Sequence, residues 1–167
     1  GMSWNVPMED LARIIDHAID NGYTIAWGGD VSEDGFTRNG IAVLADDKKV
    51  QDLDGSDMAK WLKLSSDKKK EKLQKLGVNV PELVPSQEQR QNEFDNWQLT
   101  DDHGMQIYGK AKDQNGREYY MVKNSWGETG EYKGVWYMTK NFIVAKTMDF
   151  LINKNALPKD IRKKLGL

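Results

Sequence analysis

The chain has 167 residues, 24 Lys and Arg against 26 Asp and Glu, a net charge of −2, and 38% hydrophobic residues including six Trp and six Tyr. That length and apolar content suit one folded domain with a real core, while the near-cancelling charge removes the electrostatic case for nucleic acid or an anionic membrane as partner. With no cysteine and only two histidines, His17 and His103, disulfides and thiolate metal sites are excluded, no zinc site is expected, and nothing calls for a cofactor.

No apolar stretch approaches the length that spans a bilayer, and no signal-like segment is present. Gly1 ahead of Met2 reads as a tag remnant and is set aside. Asn5-Val6-Pro7 opens a helix, with Asn5 or Ser3 available as a cap and Pro7 suited to the first turn. Met8, Leu11, Ile15, Ala18 and Ile19 then recur at helical spacing on one face, with His17 on the opposite, solvent-facing side. Asn21-Gly22 stops the helix. Tyr23 to Trp27 reads as a buried strand ended by Gly28-Gly29-Asp30, and Gly40 to Leu44 as a second short extended run.

Composition turns charged and polar over residues 46–98. Ser56 to Leu64 and Ser66 to Leu76 have helical patterning, with Trp61, Leu62, Leu73 and Leu76 as their apolar contacts, and Ser86 to Phe94 suits a third short helix. The segment is expected as a mostly helical insertion packed on the main domain. The basic run around Lys68-Lys69-Lys70 reads as a solvated helix face.

His103 to Lys112 is strand-like, Asp113-Gln114-Asn115-Gly116 is a hairpin-type turn, and Tyr119 to Val122 leads back toward Asn124-Ser125-Trp126-Gly127. After a Gly-rich loop, Val135 to Met138 and Thr147 to Ile152 supply two more strands, and Pro158 precedes a basic tail, residues 158–167. One helix followed by a mostly antiparallel sheet with inserted helices predicts a single α+β domain over residues 2–167.

If the turn folds its flanking strands into a hairpin, His103 at the start of one and Asn124 at the end of the other come together. An imidazole beside a thiol lowers the thiol pKa and takes up its proton. A neutral amide beside the imidazole fixes its tautomer and ring plane. Asp101 and Asp102, directly before the strand, read as residues that cap or solvate a loop, and Ser125 as a turn residue.

On His103-Gly104-Met105, the hairpin, and Tyr120 to Gly127 ending in Asn-Ser-Trp-Gly, the chain resembles the right-hand domain of papain-like cysteine peptidases. Within them it is similar to the bleomycin hydrolase and bacterial aminopeptidase C type. Asn21 to Trp27, Arg90 to Asn96 and Asn155-Ala156-Leu157-Pro158 support this. The resemblance implies an antiparallel sheet or half-barrel fold, His103 as catalytic base, Asn124 as its orienting partner, and Trp126 as the indole that shields their hydrogen bond. It further implies a C-terminal tail in the substrate cleft, where the Leu167 carboxylate anchors the free amine of a peptide and so gives aminopeptidase specificity.

The family's nucleophilic Cys and the Gln donor before it have no counterpart in this sequence. The resemblance therefore implies that the chain is the His/Asn-bearing portion of a cysteine aminopeptidase, partnered by a Cys-bearing N-terminal half and inactive alone. Losing the nucleophile from a unit that acts together removes on the order of 10⁶-fold in rate. The competing expectation is a non-catalytic, peptidase-derived binding protein that associates through an uncovered apolar face. Under either reading a homo-oligomer is compatible and a cytoplasmic product is expected; the aminopeptidase reading implies a peptide substrate with a free N-terminus.

Overall fold

A computed structural model describes residues 3–167; the reading of Gly1 as a tag remnant lies outside them. The first helix, α1 (Met8–Asp20), buries Leu11, Ile14, Ile15 and Ala18. Its first turn is not capped by Asn5 or Ser3: Pro7 occupies the capping position, and the Met8 N–H donates instead to Gln87 Oε1 at 3.3 Å. His17 also departs from expectation. It is half-buried, and its Nδ1 donates to the Ala156 carbonyl at 2.8 Å, tying the helix to the chain after the last strand.

Six strands form one sheet in the order β2-β5-β4-β3-β1-β6. Strand β1 (Ile25–Gly29) starts two residues later than the sequence suggests and continues through both glycines. At Gly29 the reason is space: a Cβ there would lie 2.5 Å from the Lys146 carbonyl oxygen and 2.2 Å from the Trp27 ring. Strand β2 is only Ile41–Ala42, and it runs parallel to β5, the one parallel pairing in an otherwise antiparallel sheet.

The inserted segment holds more helix than the pattern indicated. Helix α2 (Asp47–Asp54) was unforeseen because it buries a single apolar side chain, Val50, so no periodicity marks it; Asp46 caps it. Next come α3 (Met58–Leu62), which stops two residues short of the expected Leu64 with Lys63 as its C-cap, and α4 (Ser66–Leu76), capped by Ser65. Trp61 and Leu73 are buried with Val43, Val50 and Val80 in a cluster of their own. Leu62, expected among those contacts, points into solvent at 63% exposure. Helix α5 (Gln87–Asp95) is capped by Ser86 and buries no apolar residue. It is held by Arg90, whose guanidinium donates to the carbonyls of Val144, Ala145 and Thr147.

Strands β3 (His103–Lys112) and β4 (Glu118–Asn124) form the expected hairpin. Asp113 Oδ1 accepts from the N–H groups of Asn115 and Arg117, and Gly116 takes φ +83°, the left-handed conformation the turn requires. Strand β5 (Val135–Thr139) passes into α6 (Lys140–Lys146), a short helix missing from the sequence reading, which leads directly into β6 (Thr147–Leu151). Thr139 caps α6 through the Phe142 N–H. The basic tail folds as α7 (Lys159–Lys164), with Ile161 and Leu157 buried against Ile14. The main core lies between α1, α6 and the sheet, where Ile15, Ile25, Ile107, Tyr120, Val122, Met138 and Phe142 are inaccessible to solvent.

Candidate active site

One end of the sheet gathers the exit of β1, the start of β3, the end of β4 and the starts of β5 and β6. His103 opens β3 opposite Gly29, and Asn124 closes β4 opposite Met105, so antiparallel pairing brings the two side chains together. His103 Nε2 lies 2.7 Å from Asn124 Oδ1. Asn124 is buried at 3% exposure, and His103 is half-buried.

The protonation pattern follows from the donors present. The Ser125 backbone N–H donates to Asn124 Oδ1 at 2.7 Å, which requires that atom to be the amide oxygen. An oxygen facing Nε2 only accepts, so the neutral imidazole carries its proton on Nε2 and leaves Nδ1 as the basic lone pair.

Trp126 covers this pair without being buried itself. Its ring lies 4.8 Å from that of His103, tilted by 46°, and 51% of the residue remains exposed. Beneath it, Phe36 and Trp136 stack at 5.4 Å, and Trp126 meets both edge-on, at 6.1 and 5.7 Å. Trp136 is fixed in turn by its indole N–H, which donates to the Thr37 carbonyl at 3.0 Å. The loop bearing Trp126 is anchored by Gly134, whose carbonyl accepts the Asn124 N–H at 2.9 Å and whose N–H donates to Thr129.

The approach to His103 is also built. Asp30, fully buried, accepts from the N–H and hydroxyl of Ser32 through one oxygen and from the N–H of Thr100 through the other. Burial pushes this carboxyl up, but the hydrogen bonds of Ser32 and Thr100 and the charge of Lys146 outweigh it and hold it below the ordinary carboxylate value. Asp102 Oδ1 accepts the Val31 N–H at 3.0 Å, the loop-capping role read for it from the sequence. Lys146, 3% exposed as a side chain, pairs with Glu33 and Glu93. Burial works against its charge, but the two carboxylates prevail and raise its pKa.

Leu167 lies elsewhere. It lines an apolar trough of about 990 Å³ along β6, with Trp4, Phe94, Phe150 and Leu165, and neither His103 nor Asn124 lines that trough. Its N–H donates to the Arg162 carbonyl, and its own carbonyl oxygen accepts from Arg162 Nε at 3.3 Å. The structure thus joins His103, Asn124 and Trp126 and sets Leu167 apart. Sequence reasoning missed Asp30, whose only signal was an acidic residue closing Gly28-Gly29, and the Phe36–Trp136 pair under Trp126. Among the described residues no group of side chains suits a metal ion, and no helix is long and apolar enough to cross a membrane.

Known proteins resemble this chain in fold and in sequence. The fold is similar to that of PepW from Lactobacillus rhamnosis HN001, with a TM-score of 0.59 and 18% identity over 95% of this chain and 29% of that one. Over 40 residues the sequence is 45% identical to Cathepsin L1 of Drosophila melanogaster, covering 24% of this chain and 11% of that protein. The chain thus spans well under half the length of either relative. A family model described as Peptidase C1-like matches residues 74–166, more than half of the sequence and inclusive of His103, Asn124 and Trp126. The chain belongs to the Peptidase C1-like family of papain-like cysteine peptidases.

Proposed function

We propose that the chain supplies the base and its orienting amide to a thiol peptidase that removes residues from the N-terminus of peptides. The observation that carries this reading is the 2.7 Å contact between His103 Nε2 and Asn124 Oδ1, with the amide oxygen held in place by Ser125. It leaves Nδ1 free to accept a proton. The thiol comes from outside these 167 residues, which contain no cysteine. The thiol proton passes to His103 Nδ1, and the thiolate attacks the scissile carbonyl carbon. The C–N bond then breaks as the imidazolium returns the proton to the departing amine, leaving a thioester on the enzyme. A water molecule, deprotonated by the same Nδ1, attacks the thioester and releases the carboxylic acid and the thiol.

Asn124 keeps the imidazole in the required tautomer throughout, and Trp126 limits the access of water to the bond between them, which is stronger in drier surroundings. Leu167, through its carboxylate, is the candidate anchor for the substrate amine. That assignment requires the tail to leave the trough along β6. The isolated chain does not hydrolyse peptides.

The test uses a polypeptide that carries both this segment and the thiol-bearing segment of its gene product. Given matched peptides with free and acetylated N-termini, it should release the first residue of the free peptide and leave the acetylated one intact. Alkylation of the thiol should abolish the reaction. Equal cleavage of both peptides at internal bonds would refute the aminopeptidase part, and activity that survives alkylation would refute the thiol mechanism.

A further inference from the structure

The segment that delivers His103 is fastened to the exit of β1 at three points. Thr100 N–H donates to Asp30 Oδ2 at 2.9 Å, Asp102 N–H donates to the Gly29 carbonyl at 3.3 Å, and the Val31 N–H donates to Asp102 Oδ1 at 3.0 Å. Of the two that do not involve Asp30, one is backbone to backbone and the other runs through the exposed Asp102 side chain just past the strand ends. The contact through Asp30 differs, because a fully buried carboxylate there joins two separate loops. Its Oδ1 takes the N–H and hydroxyl of Ser32, at 2.8 and 2.5 Å, and its Oδ2 takes Thr100, three residues before His103. The Asp30 N–H donates to the Lys146 carbonyl at 3.0 Å, which ties the Asp30 backbone to the end of α6 as well.

We infer that Asp30 is a positioning residue for His103, holding residues 100–102 so that the imidazole meets Asn124 through Nε2. This rests on the reading of His103 as the base of the site. The carboxylate suits the task because both of its sides face a backbone N–H, which can only donate; an acceptor is needed on each side, and an amide offers one. Without the clasp the loop before β3 is free to shift. An imidazole displaced by an ångström no longer places Nε2 against Asn124 Oδ1, and catalytic geometry is sensitive to displacements of that size. A residue that served only packing would change stability and leave the imidazole as it was.

With two histidines in the chain, ring-nitrogen NMR of the ¹⁵N-histidine-labelled protein reads this directly, with His17 as internal control. In alkaline buffer the wild-type His103 should show widely separated nitrogen resonances, with the proton on Nε2. In Asp30→Ala those two resonances should move together toward the average of both tautomers, while His17, bonded to Ala156, stays in place. If Asp30→Ala does not fold, Asp30→Asn decides: it keeps the shape, satisfies only one of the two loops, and should move the His103 resonances in the same direction by a smaller amount. Unchanged His103 resonances in a folded variant, whatever its stability, would overturn the inference. Because the readout is a tautomer and not turnover, it stands or falls separately from whether the assembled protein cleaves peptides.

Discussion

The Ser125 backbone N–H donates to the Asn124 side-chain oxygen at 2.7 Å, so the amide that faces His103 is oriented by the residue next to it in the chain. The same oxygen meets His103 Nε2 at 2.7 Å. One acceptor between two donors thus fixes the amide, and the amide fixes the imidazole. Asn124 is nearly inaccessible, so no water competes for that oxygen.

Replacing Asn124 with Leu keeps the γ-branched shape, at a somewhat larger volume, and removes the acceptor. In the thiol-bearing protein kcat should fall by about 10-fold or more, bounded above by the roughly 10²–10⁴-fold that a positioned general base supplies. KM should change little, since Asn124 is too buried to touch substrate. Steady-state kinetics on a free-amine peptide check this; a loss confined to KM would assign Asn124 to binding instead.

Gly134→Ala should disturb the same site from the far side of its loop. Gly134 has φ +82°, and a Cβ there would lie 2.0 Å from the Gly127 carbonyl oxygen. The left-handed conformation alone costs an L-residue roughly 1–2 kcal/mol, and the backbone clash adds to it. Melting should shift down by about 2–4 °C for each kcal/mol in a domain of this size. Trp126 fluorescence should change as the loop moves. A variant with wild-type melting would show that the loop relaxes freely.

Asp30 ties stability to pH with a definite sign. Its folded-state pKa is depressed below 3.8 despite burial, because Ser32, Thr100 and Lys146 favour the charged form. Its contribution is therefore full above 3.8 and is lost as pH falls through the lower folded value. Asp30→Asn should cost about 2 kcal/mol or more at neutral pH, the scale of hydrogen bonds to a charged group. The deficit should shrink in acid below the ordinary carboxylate range. Glu82 runs the other way: burial dominates and raises its pKa, so its stabilising effect is present below 4.5 and declines as pH rises through the folded value. Glu82→Gln should accordingly compare better with wild type at neutral pH than in acid. Denaturant titrations across pH check both slopes.

The helical insertion has its own core, and Trp61 fills it. Trp61→Ala should cost about 3–5 kcal/mol and open α2 to α4 to proteolysis. Trp61→Phe should be much milder, because the buried indole N–H has no hydrogen-bond partner to lose. Limited proteolysis of the two variants separates them; equal sensitivity would mean that the lost volume is not what matters.

The hairpin was legible because its Asp-Gln-Asn-Gly turn is local chemistry, but the register shifts by one residue between Ile107 and Gly109, and that bulge, which no pattern in the sequence marks, sets the pairing that brings His103 to Asn124. Helix α2 was not, since Val50 is its sole buried apolar residue, and neither was α6, whose seven residues are too few to show a helical period. His17 misled because a helical wheel places a residue relative to its own helix; the carbonyl of Ala156 comes from 139 residues away. Asp30 was invisible for the same reason, its second loop arriving 70 residues later. The tail's position along β6 depends on Ile161 and Leu157 finding Ile14, which no local pattern reports.

The measurement that bears most directly on the central claim compares wild type and His103→Ala in the protein that also carries the thiol-bearing segment, following release of the N-terminal residue from a free-amine peptide. The account predicts a loss of about 10²–10⁴-fold in kcat, with the fold intact by circular dichroism. Undiminished release by His103→Ala would contradict it.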